Sequence, residues 1–213
     1  LFAGIQGAPA RRMFASTFSG TAITEIPDGL FAGIQGAPAA EMFSNTFSNT
    51  DITEIPDGLF ADIQGVPVYS MFSGTFSDTA ITEIPADLFA GIQGAPASMM
   101  FWQTFYNCSQ LQSIPADLFA GIQGVPAESI FSSTFYNCSQ LQSIPAGLFA
   151  GIQGAPAESM FDSTFSGCDQ LQSIPAGLFA GIQGAPAKSM FSSTFYNTDI
   201  TEIPADLFAG LQG

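Results

Sequence analysis

The chain has no histidine, one lysine (Lys188) and two arginines (Arg11 and Arg12), against 18 Asp and Glu, for a formal net charge of −15. A phosphate backbone is bound by a basic stripe that releases counterions, and no such stripe exists here, which excludes nucleic acid as a partner. An anionic membrane surface is disfavoured by the same argument. The apolar runs, such as residues 88–90, fall far short of the roughly 20 residues that cross a bilayer, so no membrane insertion is expected. There is no initiating Met and no leader pattern, and the sequence starts in phase with its own repeat. It therefore reads as a mature portion or a piece of something longer.

The missing His also bears on catalysis. With a single Lys, and with every Ser and Thr recurring along the chain, a nucleophile, its base and an orienting partner cannot be gathered at one unique place. No enzyme activity is expected.

What the chain does have is one repeat. LFAGIQGAP begins at Leu1 and returns almost unchanged at Leu30, Leu59, Leu88, Leu118, Leu148 and Leu178, and a last heptapeptide starts at Leu207. A period of 29 or 30 residues is too short for a domain and too long for a heptad, so each copy is one coil stacked on its neighbours. Residues 1–213 are expected to form a single solenoid of seven repeats plus the start of an eighth, with no linker and no caps. The 22 Phe recur three per repeat, at the places of Phe2, Phe14 and Phe18. Such columns stack into ladders; Phe14, Phe43, Phe72, Phe101, Phe131, Phe161 and Phe191 are expected to form one of them.

Residues 118–147 serve as the type copy. Ile130, Phe131 and Phe135 stand at helical spacing after Pro126, with Glu128 near the start, which predicts a short helix over 126–135. Leu141 and Ile144 flank two polar residues before Pro145, which predicts a short parallel strand. Pro145 then opens a single-turn helix burying Leu148, Phe149 and Ile152, and Gly154 supplies a turn. The fold class is therefore α/β: a right-handed, leucine-rich-repeat-like solenoid with short parallel strands on one face and short helices on the other. Copies with Cys carry one extra residue, which falls in a surface turn where an insertion costs little.

The spacing Phe105-x2-Cys108-x2-Leu111-x2-Ile114-Pro115, repeated from Phe135 and from Phe165, resembles the leucine-rich repeats of BspA-like bacterial surface proteins. The resemblance covers the whole chain and implies a solenoid with a parallel sheet on one face, at the cell surface, with a role in adhesion or recognition.

Several residue sets are candidates for a site. Cys108, Cys138 and Cys168 occupy one place in successive coils, and Thr21, Thr50, Thr79 and Thr198 fill it elsewhere, so they read as buried free thiols used for packing. Glu25, Glu54 and Glu83, with Asp57 nearby, form an acidic row that is either a solvated face or a weak calcium site; no other cofactor is expected. Trp102, Tyr106, Tyr136 and Tyr196 replace small residues and are candidates for a partner surface. The recurrent Gln, among them Gln123 and Gln153, are expected to form an amide ladder between coils. The Thr column through Thr134 sits beside Phe and bonds locally, unlike a flat ice-binding array.

Open coils at Leu1 and Phe2 and at Leu207 and Phe208 would expose backbone groups and core, and head-to-tail stacking of such ends makes a filament. The reading is a non-enzymatic, extracellular structural repeat protein that assembles with copies of itself end to end into a fibre or array. The alternative is a cell-surface adhesin module that binds a host or neighbouring-cell protein.

Overall fold

The computed structural model describes Phe2, residues 8–34 and residues 36–212. In the type copy, the side of the coil at residues 128–138 buries Ile130, Phe131, Thr134, Phe135 and Cys138 completely, while Ser133, Tyr136 and Asn137 stay accessible. The inward pairs are thus spaced four residues apart. The backbone explains this period: Ser129, Ser133 and Asn137 have φ of 53°, 53° and 54°. A left-handed residue at every fourth place breaks an α-helix, and small polar residues tolerate it best.

The helix expected over 126–135 is therefore absent. Thr134 and Tyr136 donate their N–H groups three residues back, to Phe131 and Ser133, as overlapping turns. The alternate groups leave the coil altogether. Ser129, Phe131, Ser133, Phe135 and Asn137 donate to the carbonyls of Glu158, Met160, Asp162, Thr164 and Ser166 in the next coil, at 2.7–3.0 Å. An α-helix would satisfy all of these internally; here half of them join neighbours, and always in the same direction.

The second expected element also differs. Leu141 and Ile144 face inward and are buried, but of this segment Gln142 reaches a neighbour, donating to Gln112 at 3.3 Å. A parallel strand needs bonds to both sides at alternate residues, and four residues cut by Pro145 are too few to supply them. Among the described residues there is no helix and no extended strand; six isolated parallel bridges, such as Gly124 with Ile152, mark the third side. The α/β description with helices and strands is corrected accordingly.

On that third side the expected single-turn helix is again a chain of turns, with Leu148, Ala150 and Ile152 each donating three residues back. Its burial of Leu148, Phe149 and Ile152 is as expected. Gly154 has a φ of 108° and forms the turn. Gly151 lies close to its neighbour for a different reason: a Cβ built there would meet the carbonyl oxygen of Ile122 in the preceding coil, so the backbone would have to shift.

The core lies between the three sides and runs through the coils without a break. Phe131 stacks on Phe161 at 5.6 Å and 6°, and Phe135 on Phe165 at 5.6 Å and 4°. Between ladders the rings tilt, as Phe131 does against Phe149 at 4.7 Å and 50°. Both arrangements are favourable for aromatic quadrupoles. The Phe14 column, from Phe14 to Phe191, stacks pair by pair as expected. The extra residue of the Cys-bearing copies is taken up in a turn in which Leu141 donates to Cys138 at 3.0 Å.

Candidate functional site

The buried Thr hydroxyls among the described residues are all hydrogen-bonded. Thr134 donates its hydroxyl to the carbonyl of Phe101 one coil back, at 2.8 Å, and Thr104, Thr164 and Thr194 do the same to Phe72, Phe131 and Phe161. No buried side-chain nitrogen or oxygen among the described residues lacks a partner. These Thr are mortar between coils, not a surface array.

The three thiols are free and buried. Cys108, Cys138 and Cys168 each donate to the Phe carbonyl of the preceding coil, at 3.1, 3.2 and 3.2 Å. Burial pushes the Cys108 thiol from its ordinary 9.0 up to about 12, against a smaller lowering by the Thr79 hydroxyl. Burial raises Cys138 well above the ordinary range too, and the flanking Cys108 and Cys168 raise it further. A thiol held protonated in this way is not a nucleophile.

The aromatic set divides. Tyr106 and Tyr136 stack at 4.9 Å and 5°, and burial, followed by Tyr136 and then Asp78, raises the Tyr106 phenol above its ordinary value. Trp102 is half-buried four residues before Tyr106, whereas Tyr196 stands apart and is 71% exposed. Tyr69, which the sequence reading passed over, is also exposed and points its hydroxyl at the Met99 sulfur, 3.5 Å away.

Glu25, Glu54, Glu83 and Asp57 are all exposed. Glu54, Asp57 and Glu83 line a shallow depression of about 300 Å³ with Thr53 and Thr82. Among the described residues, no three acidic or sulfur side chains are placed to hold a metal ion. The basic residues pair on the surface between adjacent coils: Lys188 with Glu158 at 2.6 Å, and both Arg11 and Arg12 with Glu41.

Gln123 and Gln153 link coils through their backbone, donating their N–H groups to Gly94 and Gly124 of the preceding coil at 2.9 Å, but their side chains do not. Gln123 and Gln153 donate their side-chain amides to Ala120 and Ala150 of their own coil, each at 3.2 Å. These side chains border a run of shallow hollows at four successive coil junctions. The hollow between Gln123 and Gln153 encloses about 720 Å³ and is lined by Ala120, Gly124, Ala150 and Gly151.

The outermost coils show what each coil presents to the next. In residues 186–197, the N–H groups of Ser189, Phe191, Ser193, Phe195 and Asn197 meet no backbone carbonyl among the described residues, although their equivalents in six earlier coils all do. At the other end, the carbonyls of Arg11, Met13, Ala15, Thr17 and Ser19 receive no N–H among the described residues. On this side of the coil, one face is a row of donors and the other a row of acceptors. Phe2 packs on Phe14 at 5.0 Å, Leu207 is buried, Phe208 is 45% exposed, and Leu1 lies outside the described residues.

No family model and no curated protein matches the chain. Among solved structures, a leucine-rich repeat protein from Bacteroides ovatus aligns at 17% identity with a TM-score of 0.26, over 83% of this chain and 56% of that one. The chain thus spans little more than half the length of that protein. No helix among the described residues is long and apolar enough to cross a membrane.

Proposed function

We propose that this repeat protein is a non-enzymatic, extracellular structural element in which copies associate end to end into a fibre or array. The observation that carries this reading is the polarity of the coil junction. Five N–H groups of each coil point to five carbonyls of the next, and the unfilled donor row of residues 186–197 has the same spacing as the unfilled acceptor row of residues 11–19. A junction of two different faces does not close on itself, so its product is a filament rather than a ring or dimer.

A concentration series by light scattering, with negative-stain imaging, tests it. The reading expects growing, unbranched particles, and expects the pair Phe2→Lys with Phe208→Lys to leave folded monomers. A monodisperse parent chain at high concentration contradicts it.

The second reading, an adhesin module for a protein of a host or neighbouring cell, draws support from the half-buried Trp102 beside the Tyr106 and Tyr136 stack. Aromatic side chains of this kind are enriched at interfaces. Replacing Trp102, Tyr106 and Tyr136 with Ser would abolish cell attachment under that reading while leaving self-association intact.

A further inference from the structure

Asn-Cys-Ser occurs at residues 107–109 and 137–139, and nowhere else does the chain carry Asn-x-Ser or Asn-x-Thr. This is the acceptor pattern for N-linked glycosylation, which needs the asparagine at the surface and a residue other than proline after it. Both occurrences lie in 30-residue copies, where the turn lengthened by the extra residue carries the Ser; the third such copy has Gly167 and Asp169 in place of Asn and Ser.

The coil sets the pattern across its wall. Asn137 is exposed with a left-handed φ of 54°, Cys138 is buried in the core, and Ser139 returns toward the surface, donating its hydroxyl to the Ser109 carbonyl at 3.3 Å. Asn107 and Asn197 each donate the side-chain amide to a carboxylate of the preceding coil, Asp78 at 2.8 Å and Asp169 at 3.0 Å. Asn137 has no such partner among the described residues, because the preceding coil offers Asn107 and Ser109 at those places. On its other side its carboxamide lies over Gly167, with the oxygen in the space that a Cβ on residue 167 would need. The nitrogen is thus the end turned away from Gly167, and between Tyr136 and Tyr196 the intervening coil contributes only Ser166 and Gly167.

We propose that Asn137 is a glycan attachment site, its Nδ2 being the acceptor for an oligosaccharide carried on a polyisoprenyl diphosphate. In the transfer the amide nitrogen gives up a proton and bonds the anomeric carbon of the first sugar. The bond from that carbon to the diphosphate oxygen breaks, and the lipid diphosphate leaves. A sugar on Asn107 instead would break the Asp78 bond and stand against Asn137 one coil away, so the folded chain takes one glycan and takes it at Asn137. The first sugar then has the small Ser166 and Gly167 beneath it and Tyr136 beside it. The proposal rests on the extracellular part of the proposed function and is independent of end-to-end association.

The test secretes the full chain from a eukaryotic cell line behind a cleavable leader. Each asparagine is read by mass spectrometry after peptide N-glycosidase treatment in heavy-oxygen water, which converts a glycan-bearing Asn to labelled Asp. Asn137→Asp is compatible with the coil, because Asp78 holds the same place with a φ of 56°. Ser139→Asp introduces the residue that stands at the equivalent place as Asp169 and leaves the acceptor amide intact. The parent is expected to carry one glycan, at Asn137; either of these variants is expected to lose it, and Asn107→Asp to keep it. A folded, secreted parent with Asn137 unmodified, or with Asn107 occupied as fully as Asn137, overturns the proposal and leaves the extracellular reading standing. A parent that is not secreted at all overturns the extracellular reading, and the acceptor role falls with it.

Discussion

The thiol of Cys138 donates to the carbonyl of Phe105, one coil back, at 3.2 Å. Thr79, at the equivalent place in a 29-residue copy, turns its hydroxyl to Phe76 of its own coil at 2.8 Å. The same site thus reaches the Phe carbonyl of the preceding coil when it holds Cys and that of its own coil when it holds Thr, with the Thr79 hydroxyl also 3.4 Å from the Cys108 thiol of the next coil. Cys138→Thr keeps a satisfied polar group and is expected to cost about 1 kcal/mol in urea unfolding. A loss of folding would mean that the inter-coil sulfur contact is indispensable.

The thiol column also sets an alkaline limit. Burial holds Cys108 and Cys168 at about 12, above the ordinary 9.0, so in the unfolded chain these groups lose their protons first. Their contribution to stability is complete below pH 9 and is lost as pH rises toward 12. Unfolding midpoints should fall over that range, and the triple Cys→Thr variant should fall less. Equal alkaline profiles for parent and variant would show that the thiols are not linked to folding.

Gly151→Ala is expected to destabilise by about 2 kcal/mol or more, because its Cβ meets the Ile122 carbonyl and the backbone must shift. Thermal unfolding measures it. The third copy carries Asp62 at this place, and there the carboxylate accepts the N–H of Gly33 in the preceding coil at 2.9 Å.

Thr134→Val removes a buried hydroxyl from the Phe101 carbonyl, with an expected cost of about 1–2 kcal/mol. Thr17→Val provides the contrast. Its hydroxyl bonds the Phe14 carbonyl of its own coil, so in the monomer its cost should be clearly smaller than that of Thr134→Val, and its main effect should be weaker association. Equal losses of monomer stability would contradict this division of roles.

The Phe columns, the inward Thr and Cys, and the surface place of the inserted residue were legible because each follows from which positions recur. The local conformation was not. Ile130, Phe131 and Phe135 fit a 3.6-residue period almost as well as the four-residue period they follow, and the deciding signal was the polar series Ser129, Ser133 and Asn137. Those three residues take left-handed φ and divert alternate N–H groups to the next coil. The Gln amides were expected to bond between coils, but the nearer acceptor, the Ala carbonyl three residues back, takes them. The chemistry of the coil faces lies in the backbone, which composition does not display.

Residue-resolved amide hydrogen exchange of the full chain, dilute and concentrated, tests most directly the one-way bonding on the side of the coil that carries Phe131 and Phe135. In dilute solution the N–H groups of Phe161, Ser163 and Phe165 should exchange slowly and those of Phe191, Ser193 and Phe195 quickly, and the second set should become protected as concentration rises. Fast exchange at Phe161 and Phe165, or no concentration dependence at Phe191 and Phe195, would contradict the account.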